Sequence, residues 1–186
     1  MAERIFAGKI ALAGNPNVGK STVFNALTHL HQHTGNWTGK TITCANGIVR
    51  WNGKTFCLVD LPGTYALHSH AAEENAAREF LQSNTADCVI IVVDATCLER
   101  NLIFTLQILS MTQRAVLCLN LMDEARKKSI SIDVPALEKR LGIPVVPCTA
   151  AAGKGLDHLM ETVETLVENN SIKATDQKNV TEFPPL

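Results

Sequence analysis

The chain has 186 residues, of which 46% are hydrophobic and 19% charged, so it is long and apolar enough for one domain with a real core. Its formal net charge is −1, which gives no overall basic field for nucleic acid or for an anionic membrane surface. Its apolar runs, such as residues 89–93, are much shorter than a bilayer span. We therefore expect a globular domain that neither binds nucleic acid nor inserts into a membrane.

Apolar runs alternate with helical patterns along most of the chain. Strands are predicted near residues 8–13, 42–50, 55–60, 88–94, 114–120 and 143–148. Helices are predicted near residues 20–28, 73–82, 98–111, 123–128, 133–141 and 155–169. Asn52-Gly53 between the second and third strand runs predicts a tight hairpin, and hence one antiparallel strand. The alternation elsewhere predicts an α/β fold with a mainly parallel six-stranded sheet and helices on both faces.

The C-terminal end differs in composition from the rest. From residue 170 onward the chain is polar, and it ends in Pro184-Pro185-Leu186. Such a segment has too little apolar surface to offset the entropy of ordering it. We therefore expect one domain over residues 1–169 and a disordered tail or linker over residues 170–186.

Residues 14–21 form a complete phosphate-binding loop, GNPNVGKS, between a predicted strand and a predicted helix. Its glycines let the backbone turn N–H groups toward phosphate oxygens, and the helix N-terminus adds a positive dipole end. We expect Lys20 to contact the β- and γ-phosphates and Ser21 to bind Mg²⁺. The predicted nucleotide contacts of this segment are Gly14, Asn15, Asn17, Val18, Gly19, Lys20, Ser21 and Thr22.

Three further segments follow later strands, and their order selects the nucleotide. Asp60 opens the sequence DLPG, in which a carboxylate can hold Mg²⁺ and Gly63 lets the backbone approach the γ-phosphate. Asn120 and Asp123 form an Asn-x-x-Asp pair, whose carboxylate can accept from two guanine N–H groups that adenine does not offer. Thr149-Ala150, after the last strand, can present backbone N–H to the guanine oxygen. Together these residues favour guanine over adenine.

The ordered motifs resemble those of the Ras-like, translation-factor-related P-loop GTPases. More sharply, the chain is similar to the cytosolic G domain of ferrous iron transport protein B from Lys9 to about Val167. The resemblance is seen in residues 14–17, 35–41, 60–63, 93–96, 98–102 and 120–125. The stretches GNWTGKT at residues 35–41 and LERNL at residues 98–102 are far more specific than the generic motifs.

The resemblance implies a Ras-like fold, binding of GTP and GDP, and a switch I segment at about residues 30–41. Thr41 would join Ser21 and Asp60 as a ligand of Mg²⁺, and switch II would begin at Gly63. Thr64 stands where Ras-like enzymes carry a water-orienting glutamine, and the resemblance suggests a K⁺ ion in its place. The implied K⁺ ligands are the Asn17 side chain and the carbonyls of Gly35 and Trp37. The catalytic residues predicted on this basis are Asn17, Lys20, Thr41 and Gly63.

In that family the G domain precedes a helical spacer and a membrane iron-transport domain, and neither lies within these 186 residues. The resemblance thus implies a soluble chain that acts at the cytoplasmic side of the cell membrane and regulates iron uptake. Two alternatives stay open. One is a GTPase acting in ribosome assembly or RNA modification, and the other is a nucleotide-responsive scaffold with negligible turnover. We expect the histidines of the two switch segments, at positions 29, 31, 33, 68 and 70, to be solvated loop residues.

Overall fold

The computed structural model describes residues 6–29, 32–36, 43–64, 72–83 and 85–180. Its strands are β1 (Gly8–Gly14), β2 (Gln32–Asn36), β3 (Thr43–Trp51), β4 (Lys54–Asp60), β5 (Cys88–Asp94), β6 (Ala115–Asn120) and β7 (Val145–Pro147). Its helices are α1 (Lys20–Thr28), α2 (Ala72–Gln82), α3 (Leu98–Leu109), α4 (Met122–Lys127), α5 (Val134–Leu141) and α6 (Leu156–Val180). Short 3₁₀ turns cover Ala95–Cys97 and Ala150–Ala152.

The strands form one sheet in the order β2-β3-β4-β1-β5-β6-β7. Strand β1 lies between β4 and β5 and is parallel to both, and β6 and β7 continue the parallel part. Strand β3 runs antiparallel to both of its neighbours. The predicted fold class is therefore confirmed, including its single antiparallel strand. Beyond the six predicted strands, the described residues contain a seventh, β2, at the edge of the sheet.

Both faces of the sheet are buried under helices. Successive side chains of a strand point to opposite faces, so each strand contributes to both apolar clusters. On β1, Ile10 and Leu12 belong to one apolar cluster, whereas Ala11 and Ala13 belong to the other. The first cluster is completed by side chains of α1 and α6, such as Phe24 and Leu159. The second is completed by side chains of α2 and α3. Helices on both faces leave the carboxyl ends of the parallel strands as the place where loops can form a site.

Local signals in the sequence are found in the structure where they were predicted. Asn52 and Gly53 form the hairpin turn between β3 and β4, with φ angles of 46° and 74°. Asp133 caps α5, because its carboxylate accepts from the Ala136 N–H at 3.0 Å. In the part of the chain that the structure describes, no helix is long and apolar enough to span a membrane.

Helix α6 departs from the prediction at its C-terminal end. It continues past residue 169 and ends at Val180, so the backbone of residues 170–180 is helical where the sequence predicts a disordered segment. The apolar stripe of this helix ends at Val167, and the polar residues beyond it gave no periodic signal. The division into a domain over residues 1–169 and a tail over residues 170–186 stays a prediction.

Candidate functional site

The predicted site residues that the structure describes lie at one edge of the sheet. The register pairs Leu12 with Asp60 and Asp94 with Asn120, so the loops after β1, β4 and β6 start at similar heights. This is the carboxyl edge, where ligands of open parallel sheets bind. Side-chain contacts join the loop after β1 and the start of α1 to the loops after β4, β6 and β7.

The loop after β1 has the backbone geometry of an anion cradle. Asn17 and Gly19 have positive φ angles of 67° and 84°, and α1 begins immediately afterwards at Lys20. Alternation of left- and right-handed residues turns successive N–H groups toward one concave side, and a helix N-terminus adds to the positive potential there. Ser21 and Thr22 are exposed in the first turn of α1. The predicted phosphate loop therefore has the shape that its chemistry requires.

Asn120 joins three loops through one buried side chain. Its Nδ2 donates to the carbonyl of Val18 at 3.1 Å, and its Oδ1 accepts from the N–H of Ala150 at 3.0 Å. Asn120 is 1% exposed. The loops after β1, β6 and β7 are thus held together by both ends of a single amide.

Gly19 must be glycine because of the same amide. A Cβ atom on Gly19 would overlap the Nδ2 of Asn120. Its φ angle of 84° is also a conformation that residues with side chains rarely adopt. Gly14 is equally restricted, since a Cβ there would lie 2.7 Å from the carbonyl oxygen of Val92.

Lys20 and Asp60 form an ion pair that links the phosphate loop to the end of β4. Their side chains are 11% and 19% exposed, respectively. Burial raises the pKa of the Asp60 carboxyl above its ordinary value, and the Lys20 ammonium opposes this shift. A lysine and a carboxylate are therefore placed together beside the loop, as phosphate-loop enzymes require.

Asp123 has one buried carboxylate oxygen, Oδ1, without a hydrogen-bond partner in the described part of the chain. The backbone around it is fixed: the Met122 N–H donates to the Cys148 carbonyl at 3.2 Å, and the Cys148 N–H donates to the Leu119 carbonyl at 2.8 Å. Buried polar atoms almost always have partners, so an unpaired carboxylate oxygen in a fixed loop indicates a ligand that donates hydrogen bonds.

The loop after β7 is held in a tight turn next to Asn120. Thr149 and Lys154 exchange two backbone hydrogen bonds, at 3.0 and 3.2 Å. Thr149 and Ala150 are 7% and 4% exposed. The structure thus brings Asn120, Thr149 and Ala150 together, as the sequence predicts.

Asn101 of the LERNL stretch holds the turn after β5. The Oδ1 of Asn101 accepts from the Asp94 N–H at 2.7 Å, and the Asp94 carboxylate accepts from the Thr96 N–H at 2.7 Å. These bonds fix the turn after β5, next to Asn120 in the register. Asn101 therefore supports the site from outside without reaching the loop after β1.

Several predicted residues lie outside what the structure describes. Trp37 and Thr41 are among them, as are His31, His68 and His70. Gly35 lies in β2, where it pairs with Cys44 of β3. His29 is exposed just after α1, and the described ranges contain no group of three or more side chains able to hold a metal ion. The cation roles of Asn17, Gly35, Trp37 and Thr41 stay predictions.

Comparison with known proteins identifies relatives of the chain. A family profile described as Ferrous iron transport protein B matches residues 8–163. The Fe(2+) transporter FeoB of Salmonella typhimurium is 41% identical over 168 residues, which cover 88% of this chain and 22% of that protein. The solved G domain of the T. maritima FeoB iron transporter is 42% identical with a TM-score of 0.79, covering 86% of this chain and 98% of that one.

A second T. maritima structure, the cytosolic domain of FeoB in a GDP form, is 42% identical with a TM-score of 0.81. The match covers 87% of this chain and 62% of that one. The first curated relatives are much longer, and this chain spans only 19% and 22% of two of them. The similarity therefore concerns the G-domain portion of these transporters.

Proposed function

This chain belongs to the ferrous iron transport protein B family, and we propose that it binds GTP and GDP, hydrolyses GTP, and thereby regulates ferrous iron uptake by a membrane transporter. Its fold is that of the G domains of this GTPase family. The observation that best supports guanine-nucleotide binding is the pair formed by Asn120 and Asp123. Asn120 fixes the loops, and Asp123 presents the unpaired carboxylate oxygen.

Guanine fits this arrangement better than adenine does. Asp123 can accept from the two N–H groups on one edge of guanine, which adenine lacks. The sequence predicts that backbone N–H groups of Thr149-Ala150 face the guanine oxygen, but in this structure the Thr149 N–H donates to the Lys154 carbonyl and the Ala150 N–H donates to Asn120. Asp123 therefore carries the recognition of guanine in this proposal. A site that depends on such hydrogen bonds discriminates strongly, by about 10⁴–10⁵, because the wrong base leaves its buried groups unpaired.

The residues present fit a magnesium ion beside the phosphates. The hydroxyl of Ser21 and the carboxylate of Asp60 are hard oxygen donors, the ligands that Mg²⁺ prefers, and Thr41 would add a third. Magnesium in such sites neutralises charge on the β- and γ-phosphates. Lys20 would bind the same phosphates, and the backbone N–H groups of residues 14–20 would surround them. Gly63 would present its N–H to the γ-phosphate.

The absence of glutamine at position 64 leaves the orientation of the attacking water to other groups. The potassium ligands in this proposal are the Asn17 amide oxygen and the carbonyls of Gly35 and Trp37, and Trp37 lies outside the described residues. Asn17 is exposed and has a positive φ, so its side chain is free to reach a cation at the loop surface. Such a cation would stabilise developing charge as an arginine finger does.

Regulation of iron uptake requires parts of the transporter outside these residues. The partner in this proposal is the membrane iron-transport domain, connected through a helical spacer, and the G domain acts at the cytoplasmic side of the membrane. Binding of the γ-phosphate would order switch I and switch II, and hydrolysis would release them. This ordered or released state is what the transporter would sense.

Calorimetric titration with GDP and with ADP, both with Mg²⁺, tests the proposed nucleotide. We expect the chain to bind GDP at least 10³-fold more tightly than ADP, within the range that hydrogen-bonded sites reach. Asp123→Ala should abolish most of this preference, whereas Asp133→Ala removes a carboxylate that caps α5 and should leave it unchanged. Equal affinities for the two nucleotides would refute guanine specificity. Tight GDP binding without GTP turnover would instead favour the scaffold alternative.

A further inference from the structure

Asn15 makes a contact that the proposed catalytic roles do not explain. It is the second residue of the phosphate loop and is 3% exposed. Its Nδ2 donates to the carbonyl oxygen of Thr64 at 3.2 Å, across 49 residues of sequence. Its Oδ1 is also buried and accepts no hydrogen bond within the described ranges. The nucleotide contact predicted at Asn15 stays a prediction, and the side chain reaches the residue that follows Gly63, where switch II is expected to begin.

The hydrogen bond from Asn15 to Thr64 helps to fix residues 61–64, whose Gly63 N–H faces the γ-phosphate in the proposed function. Leu61 is held to β1, because its N–H donates to the Leu12 carbonyl at 2.9 Å. Thr64 is held by Asn15, so the two hydrogen bonds bracket Pro62 and Gly63. A Cβ on Gly63 would lie 3.7 Å from the Gly14 carbonyl oxygen, which shows that this segment packs directly over the phosphate loop.

The position of Thr64 makes this bracket relevant to hydrolysis. Thr64 occupies the place of the water-orienting glutamine, yet it is 4% exposed. A buried threonine does not present its side chain to an attacking water at the loop surface. The backbone of Gly63 and Thr64 is then what this segment offers to the reaction, and its position depends on what holds the Thr64 carbonyl.

An unpaired buried amide oxygen is costly, and alanine at position 15 would avoid that cost. The asparagine at position 15 therefore has a function that an apolar side chain could not perform. We propose that Asn15 is a positioning residue that holds the backbone of Gly63 and Thr64 against the phosphate loop, so that GTP hydrolysis depends on its amide more than nucleotide binding does. This inference rests on the proposed GTPase function.

Single-turnover GTP hydrolysis and GDP titration of Asn15→Ala test the proposal. Loss of one buried hydrogen bond from the closed site corresponds to a roughly tenfold fall in the hydrolysis rate. The GDP dissociation constant should change less than about threefold, and hydrogen exchange of the peptide containing Leu61–Thr64 should become faster. Thr105→Val is the matched control, since it removes an equally buried side-chain hydrogen bond, from the Thr105 hydroxyl to the Asn101 carbonyl within α3. It should lower Tm without changing the hydrolysis rate.

The outcomes separate this inference from the proposed function. If the wild-type chain does not hydrolyse GTP, the proposed function fails. If it does, an unchanged hydrolysis rate in Asn15→Ala overturns the positioning role, and so does a fall in rate matched by an equal loss of GDP affinity. If Asn15→Ala does not fold, Asn15→Ser is measured in its place. Failure of both variants to fold would show that Asn15 is needed for stability, which also overturns the proposal.

Discussion

Asn120 and Asp123 belong to one motif, but we expect the removal of Asn120 to destabilise the nucleotide-free chain and the removal of Asp123 to leave its stability nearly unchanged or higher. Asn120→Ala would leave the Val18 carbonyl and the Ala150 N–H unpaired in a site where Asn120 itself is 1% exposed. Each unpaired buried group costs about 1–3 kcal/mol. Partial relaxation of the loops reduces the sum, so we expect a loss of about 2–4 kcal/mol in the free energy of unfolding.

Asp123→Ala removes a carboxylate whose Oδ1 has no partner in the described part of the chain. The folded state then loses an unfavourable term, and we expect the free energy of unfolding to stay within about 1 kcal/mol of wild type or to rise. Both variants should lose most of their affinity for GDP, because each belongs to the proposed guanine site. Stability and binding are thus separable in this pair.

Urea unfolding followed by far-UV circular dichroism, without nucleotide, measures the difference. A domain of this size has about 5–15 kcal/mol of stability, so Asn120→Ala should still fold and show a lower urea midpoint at an unchanged slope. A loss below about 1 kcal/mol for Asn120→Ala would refute the role of its amide in joining the loops. Equal losses for the two variants would refute the unpaired state of Asp123.

Three further outcomes are expected. Gly19→Ala should weaken GDP binding at least about tenfold in calorimetry. The added Cβ would displace Asn120 and would cost about 1–2 kcal/mol of backbone strain in the folded loop. Gly53→Ala has a similar φ of 74° but no atom within 4 Å of its Cβ and should leave GDP binding unchanged. Because the pKa of Asp60 is raised in the folded state, its protonated form contributes stability below pH 3.8 that is lost as the pH rises through the folded pKa. As the pH rises through this range, the free energy of unfolding of wild type should fall relative to that of Asp60→Asn in urea unfolding. An equal pH dependence of the two proteins would contradict the raised pKa of Asp60. Asn17→Ala should abolish stimulation of GTP turnover by K⁺ while GDP binding survives, and unchanged stimulation would refute its role as a ligand.

Much of the fold was predictable because the parallel strands are buried on both faces. Runs such as Cys88–Asp94 and Ala115–Asn120 are almost continuously apolar, and helical stripes lie between them. Strand β2 was not predicted, since Gln32–Asn36 reads QHTGN and contains no apolar residue. Its pairing with β3 comes from the tertiary structure and not from a local pattern.

The site was predictable where a motif is local and less so where it depends on distant contacts. The turn at Gly14–Ser21 and the Asn-x-x-Asp pair are read directly from spacing. The hydrogen bond from Asn15 to Thr64 joins residues that are 49 positions apart, and no pattern in either segment predicts this contact. The close approach of Asn120 to Gly19 is equally absent from any local sequence pattern, although it explains why position 19 must be glycine.

The most direct test of the account is GTP turnover by the purified chain in K⁺ and in Na⁺, with Mg²⁺ and at matched ionic strength. A GTPase with Thr64 in place of glutamine, and with Asn17 beside the phosphates, should turn over GTP at least tenfold faster in K⁺, by analogy with a single charge-stabilising group. Equal rates in the two salts would contradict cation-assisted hydrolysis. Undetectable turnover in both salts would contradict the assignment of this domain as an enzyme.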